Sequence, residues 1–95
     1  IENQSEIPYE YYLSQNYPNP FNPVTKINFS TSSPGLVQIN VYNILGEFIS
    51  GLVNEYKSPG NYSVLYNSEK LSGGVYFYTM RVNGFKETKK MIVTK

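Results

Sequence analysis

Val75-Tyr76-Phe77-Tyr78-Thr79-Met80-Arg81-Val82 is followed by Asn83-Gly84 and then by Phe85-Lys86-Glu87-Thr88-Lys89-Lys90-Met91-Ile92-Val93. Aromatic and β-branched residues dominate the first run, and such side chains suit a pleated, half-buried surface. Asn-Gly between two strand-like runs is the strongest short-range hairpin signal, because both positions of a tight hairpin turn need positive φ. The stretch predicts two long antiparallel strands. Ser72-Gly73-Gly74 punctuates the chain just before them.

Working toward the N-terminus, the same grammar repeats. Tyr62 to Tyr66 reads as a strand, Asn67 to Leu71 as a connection and Lys57-Ser58-Pro59-Gly60 as a turn. Glu47 to Val53 is a further strand with Ile49 expected in the core. Asn43-Ile44-Leu45-Gly46 interrupts the pattern, with Gly46 supplying a positive φ. Val37-Gln38-Ile39-Asn40-Val41 and Thr25 to Ser30 alternate apolar and polar, which places Val37, Ile39, Val41, Ile27 and Phe29 inward. Ser32-Ser33-Pro34-Gly35 turns between them.

Tyr17-Pro18-Asn19-Pro20-Phe21-Asn22-Pro23 cannot join a helix or a central strand. It predicts a rigid, ordered turn with Phe21 anchored in the core. Tyr11 to Asn16 can add a short first strand. Residues 1–10 are polar, acidic and unpatterned, and read as a linker from an upstream domain. The domain proper is then 11–95: an all-β, immunoglobulin-like antiparallel β-sandwich of about seven strands.

Composition agrees and excludes much chemistry. The chain has 95 residues, enough for one domain. A domain of this size buries only about 60–65% of its unfolded surface, so its core must be thin. Ten Tyr and five Phe favour a pleated, half-buried surface over a helix, and Ala, the best helix former, is absent. There is no Cys, His or Asp. That removes disulfides, thiolate nucleophiles, the usual general base and the commonest transition-metal ligand. The seven Glu are scattered, unlike a calcium loop. No catalytic site, cofactor or metal is expected. The net charge of +1 is too low for nucleic-acid binding. No apolar run is long enough to span a membrane, and no signal peptide opens the chain. The missing initiator Met points to a fragment of a larger protein. Charge is uneven: Glu2, Glu6 and Glu10 open the chain, whereas Arg81, Lys86, Lys89, Lys90 and Lys95 crowd its last fifteen residues. Those lysines solubilise an edge strand or form a basic tail that a partner reads.

Tyr62, Tyr66, Tyr76 and Tyr78 recur at period-two spacing. Core and cross-strand packing, with hydroxyls reaching the surface, is the expected use; a carbohydrate platform is the alternative. Tyr9, Tyr11, Tyr12 and Tyr17 either fold back on the sandwich or meet the upstream domain. Asn3, Asn28 and Asn61 begin Asn-x-Ser sequons, of which Asn28 lies mid-strand.

Four segments together resemble a known family. The Tyr17–Pro23 segment resembles the proline-asparagine opening of type A C-terminal sorting domains of the type IX secretion system. Val41-Tyr42-Asn43-Ile44-Leu45-Gly46 resembles their V-Y-x-x-x-G turn, and Leu71 to Tyr78 their L-x-x-G-x-Y segment. Lys89 to Lys95 resembles their lysine-rich last strand, and Tyr66 stands where Trp is common. The resemblance implies a non-catalytic domain that directs an upstream cargo through the outer-membrane translocon. A sortase-like peptidase then usually removes it. Periplasmic transit and a secreted or cell-surface destination follow. It implies Gly74, Tyr76, Lys89, Lys90 and Lys95 as recognition candidates, and Pro18, Asn19, Pro20 and Gly46 as structural ones. A sorting domain must end its polypeptide, and Lys95 reads as a natural terminus whose strand offers a partner a free edge. The same motifs resemble the immunoglobulin-like domain of the flagellar hook-capping protein. An adhesion or carbohydrate-binding sandwich is the alternative from another class.

Overall fold

The computed structural model describes residues 9–95. The linker assigned to residues 1–10 therefore lies outside the described residues except for Tyr9 and Glu10, as does the Asn3 sequon. Seven strands follow one another: β1 (Tyr12–Leu13), β2 (Val24–Thr31), β3 (Gly35–Tyr42), β4 (Phe48–Lys57), β5 (Gly60–Asn67), β6 (Gly74–Val82) and β7 (Phe85–Val93). There is no helix among the described residues. The strands form two antiparallel sheets, ordered β1-β2-β5 and β4-β3-β6-β7, and the sheets pack as a sandwich.

Alternation explains the core. Ile27 and Phe29 of β2, and Val37, Ile39 and Val41 of β3, are all buried, as period-two patterning requires. Tyr76, Tyr78, Met80 and Val82 of β6 join them, with Met91 and Val93 of β7. Leu13 is the one apolar side chain that β1 contributes. Phe21 is 2% exposed, so the proline-rich turn is anchored as its sequence predicts. Asn83 and Gly84 adopt φ of 48° and 86°, the paired positive values that a tight hairpin turn needs.

Three expectations change. Ile49 is only half-buried, and β4 contains no fully buried residue. β4 is the edge of the four-stranded sheet, and the sheet facing it has only three strands to offer. Its pairing with β3 also slips between Ile39 and Asn40 and between Val41 and Tyr42, which turns side chains away from the core. Second, the tyrosine hydroxyls do not simply reach for water. Tyr78 is fully buried and donates to the Ser14 carbonyl at 2.7 Å. Tyr76 donates to the Ser72 carbonyl at 2.9 Å, and Tyr62 to the Ser58 carbonyl at 2.6 Å. Third, of the N-terminal tyrosines only Tyr11 folds back. Its ring stacks on Phe85 at 5.3 Å, while Tyr12 and Tyr17 are 52% and 81% exposed.

Candidate functional site

The last strand, β7, lies at an edge. Alternation turns the main-chain groups of Lys86, Thr88, Lys90 and Ile92 outward, away from β6. The proline-asparagine segment occupies the second half of that edge. Gln15 Nε2 donates to the Lys90 carbonyl at 2.6 Å. The Ile92 N–H donates to Asn19 Oδ1 at 2.9 Å. The Phe21 N–H donates to the Ile92 carbonyl at 3.1 Å, and the Thr94 N–H to the Phe21 carbonyl at 3.0 Å. Phe21 thus forms a parallel bridge with Val93. The expectation of a free edge is overturned over this half of β7, because residues before β2 fill it.

A buried polar set holds this cover in place. Asn16 is 2% exposed and donates to Thr25 Oγ1 and to the Pro18 carbonyl, both at 3.0 Å. Thr25 Oγ1 donates to the same carbonyl at 2.8 Å. Ser68, fully buried, donates to the Pro23 carbonyl from its N–H at 2.8 Å and its hydroxyl at 3.1 Å. Pro18 and Pro20 follow cis peptide bonds, as does Pro23. The prolines lack N–H groups, and Asn16, Thr25 and Ser68 use the carbonyls that remain. Sequence reading missed Asn16, Thr25 and Ser68: short polar residues beside a turn carry no signal of burial.

The lysines separate into different roles. Lys89 faces inward opposite Tyr78, and its Nζ pairs with Glu87 at 3.2 Å. Glu87 lies opposite Met80, so both charges sit on the inner face of the edge strand. Lys95 Nζ donates to the carbonyls of Ser68 and Glu69 at 3.0 and 3.2 Å. Lys90 is exposed on the outer face, opposite Phe77. Burial, more than the nearby Glu87 and Tyr12, pushes the Tyr78 hydroxyl up to about 12, although the backbone at Asn16 draws it down.

Gly74 and Tyr76 shape the loop before β6. Gly74 adopts φ of 150°, and a Cβ there would meet nothing within 4 Å, so glycine is needed for its backbone and not for space. Gly46, at φ 82°, closes a turn built by Asn43, whose Oδ1 accepts from the N–H groups of Leu45 and Glu47 at 2.9 and 3.0 Å.

The outer face of the four-stranded sheet is laid out in rows across β4, β3, β6 and β7, because directly opposed residues share a face. One row runs Phe48, Tyr42, Phe77, Lys90, and another Asn54, Gln38, Arg81, Lys86. Phe48 is 60% exposed and meets Tyr42 edge-on at 6.2 Å. Between these rows Thr79 and Thr88 share a hydrogen bond of 2.8 Å. The candidates for a sugar platform, Tyr62, Tyr66, Tyr76 and Tyr78, lie on the inner faces instead. Among the described residues no cluster of three or more carboxylates is placed to hold a metal. Among those residues, too, no helix is long and apolar enough to cross a membrane.

A family model described as secretion system C-terminal sorting domain matches residues 15–94. No curated protein matches the chain, and no solved structure does. The match opens at Gln15, the first residue to bond the edge of β7, and closes at Thr94, the last one the cover engages. It therefore takes in the cover and the covered strand together, and the chain belongs to the secretion-system C-terminal sorting domains, serving as a C-terminal sorting signal for type IX secretion.

Proposed function

We propose that the type IX outer-membrane translocon reads this domain as a folded body, on the outward face of β7, and that a sortase-like peptidase then releases it. The cargo crosses the periplasm before it reaches the surface or the medium. Domains of this family are non-catalytic in general, and their cargo is secreted or displayed on the cell. The domain itself is a substrate in these steps. Without His, Cys or Asp it lacks the usual general base and any thiolate nucleophile.

One observation carries the reading: the cover on Lys90–Thr94. Over the covered half of β7 a partner is offered side chains and not main chain. Of the recognition candidates, Lys90 is then the group a receptor can touch. Lys89 and Lys95 act by holding the strand, and Gly74 and Tyr76 by shaping the loop before it. Fusing residues 11–95 to a periplasmic reporter tests this in a host with a compatible apparatus. The parent fusion is exported, and Lys90→Gln lowers export while leaving the fold intact. Retention of the folded parent fusion in the periplasm would remove the reading. Full export of Lys90→Gln would remove the role of that lysine.

A further inference from the structure

Arg81 and Lys86 lie directly opposite each other across β6 and β7, on the outer face. Like charges in that register destabilise a sheet. Neither takes part in an ion pair among the described residues; those pairs are Lys57–Glu55 and Lys89–Glu87. Their neighbour on β3 is the uncharged Gln38, and the three rows of this face hold Lys90, Arg81 and Lys86 but no carboxylate. The two cations flank a cleft of about 250 Å³ whose lining also includes Leu36, Gln38 and Phe85. Leu36 is 44% exposed there. Elsewhere the fold avoids such costs: at Lys89 it sets Glu87 beside the charge.

We infer that this cleft is a docking site for an acidic peptide segment of a partner protein. A carboxylate seats between Arg81 and Lys86, and an apolar side chain rests against Leu36. Bringing an anion between two opposed cations converts repulsion into two attractions, so the site is poorest when empty and gains most when filled. The sorting reading above supplies the setting for such a partner, since the proposal names the chemistry the export apparatus would present. Its test does not depend on export.

The full chain is titrated with a synthetic peptide of Glu, Gly and Phe, followed by amide chemical shifts. The expected result is saturable shifts centred on the β6–β7 hairpin and Leu36, weakening as salt rises. Arg81→Gln and Lys86→Gln each weaken binding by about tenfold. Lys86→Glu abolishes binding and raises the melting temperature, since it replaces a repulsive pair with an attractive one. A purely structural pair would not give stability and binding that move in opposite directions. The proposal is overturned if no saturable shift appears, or if a Lys, Gly and Phe peptide shifts the same amides equally. It is overturned if Lys86→Glu binds like the parent or lowers the melting temperature. Binding to phosphatidylglycerol vesicles without binding to the peptide also overturns it, and points to a lipid surface.

Discussion

The two halves of β7 solve one problem in opposite ways. From Lys90 onward the exposed main chain is covered, by Gln15, Asn19 and Phe21. From Phe85 to Lys89 it is left open, but the side chains beneath it are Glu87 and Lys89, pointing inward at the rim of the core. An added strand would have to seal those two charges away from water. Inward charges on edge strands are a known defence against edge-to-edge pairing. The comparison teaches that a single strand can be protected by cover where it must be rigid, and by charge where it stays accessible.

The most severe way to break the contrast is Phe21→Ala. Deleting a buried Phe costs about 3–5 kcal/mol, a large share of the total stability of a domain this size. Urea unfolding would measure the loss. Amide exchange at Ile92 and Thr94 should quicken more than at the hairpin end of β7; uniform quickening would mean the cover and the sandwich open as one unit.

Gly35→Ala attacks the other end. A Cβ at Gly35 would collide with the Asn83 side-chain amide. The Asn83 amide donates there to the Pro34 carbonyl at 3.0 Å and to Tyr11 Oη at 3.2 Å. Displacing it should cost about 1–3 kcal/mol. Tyr11 fluorescence or exchange at Gly84 should report the release, and an unchanged hairpin turn would show that the strand shifts instead.

Alkaline pH sharpens the contrast further. Tyr78 lies opposite Lys89, and its hydroxyl is held up to about 12 chiefly by burial. A raised folded value means the neutral form is favoured by folding. The stability tied to it is present in full below the unfolded value near 10. It is lost as pH rises through the folded value of about 12. Melting temperature should therefore fall across that window, and Tyr78→Phe should flatten the fall.

The smallest effect on stability is expected from the double change Glu87→Val, Lys89→Val. An accessible pair of this kind contributes about 0–1 kcal/mol, so melting should barely move. Solution behaviour should move instead: sedimentation should show more self-association than in the parent. A monomeric double variant would mean that the open half is protected by something other than these charges.

Much of this was legible in the residues. Ile39 and Val41 alternate so cleanly with Gln38 and Asn40 that their burial needed no structure. Asn83-Gly84 announced its own turn, and Phe21 was the sole apolar residue among the prolines. What stayed hidden depends on long-range partners. The edge filled by Asn19 lies 73 residues from its partner Ile92, and no local pattern encodes that meeting. Ile49 fits an alternating strand as well as Ile39 does; its half-burial follows from one sheet being a strand narrower than the other. The inward turn of Lys89 was available from the hairpin register, since Met91 and Val93 share its parity, but a run of lysines reads as surface.

The bond between Phe21 and Thr94 also ties the beginning of the domain to its final residues, 73 positions apart. Contacts of such separation form late, after the intervening loop has been closed. During synthesis the cover has nothing to settle on until the last strand leaves the ribosome. A chain abandoned before Val93 would carry every earlier motif and still lack the finished surface. Val93 and Thr94 therefore decide whether a surface prepared by every earlier motif is ever finished.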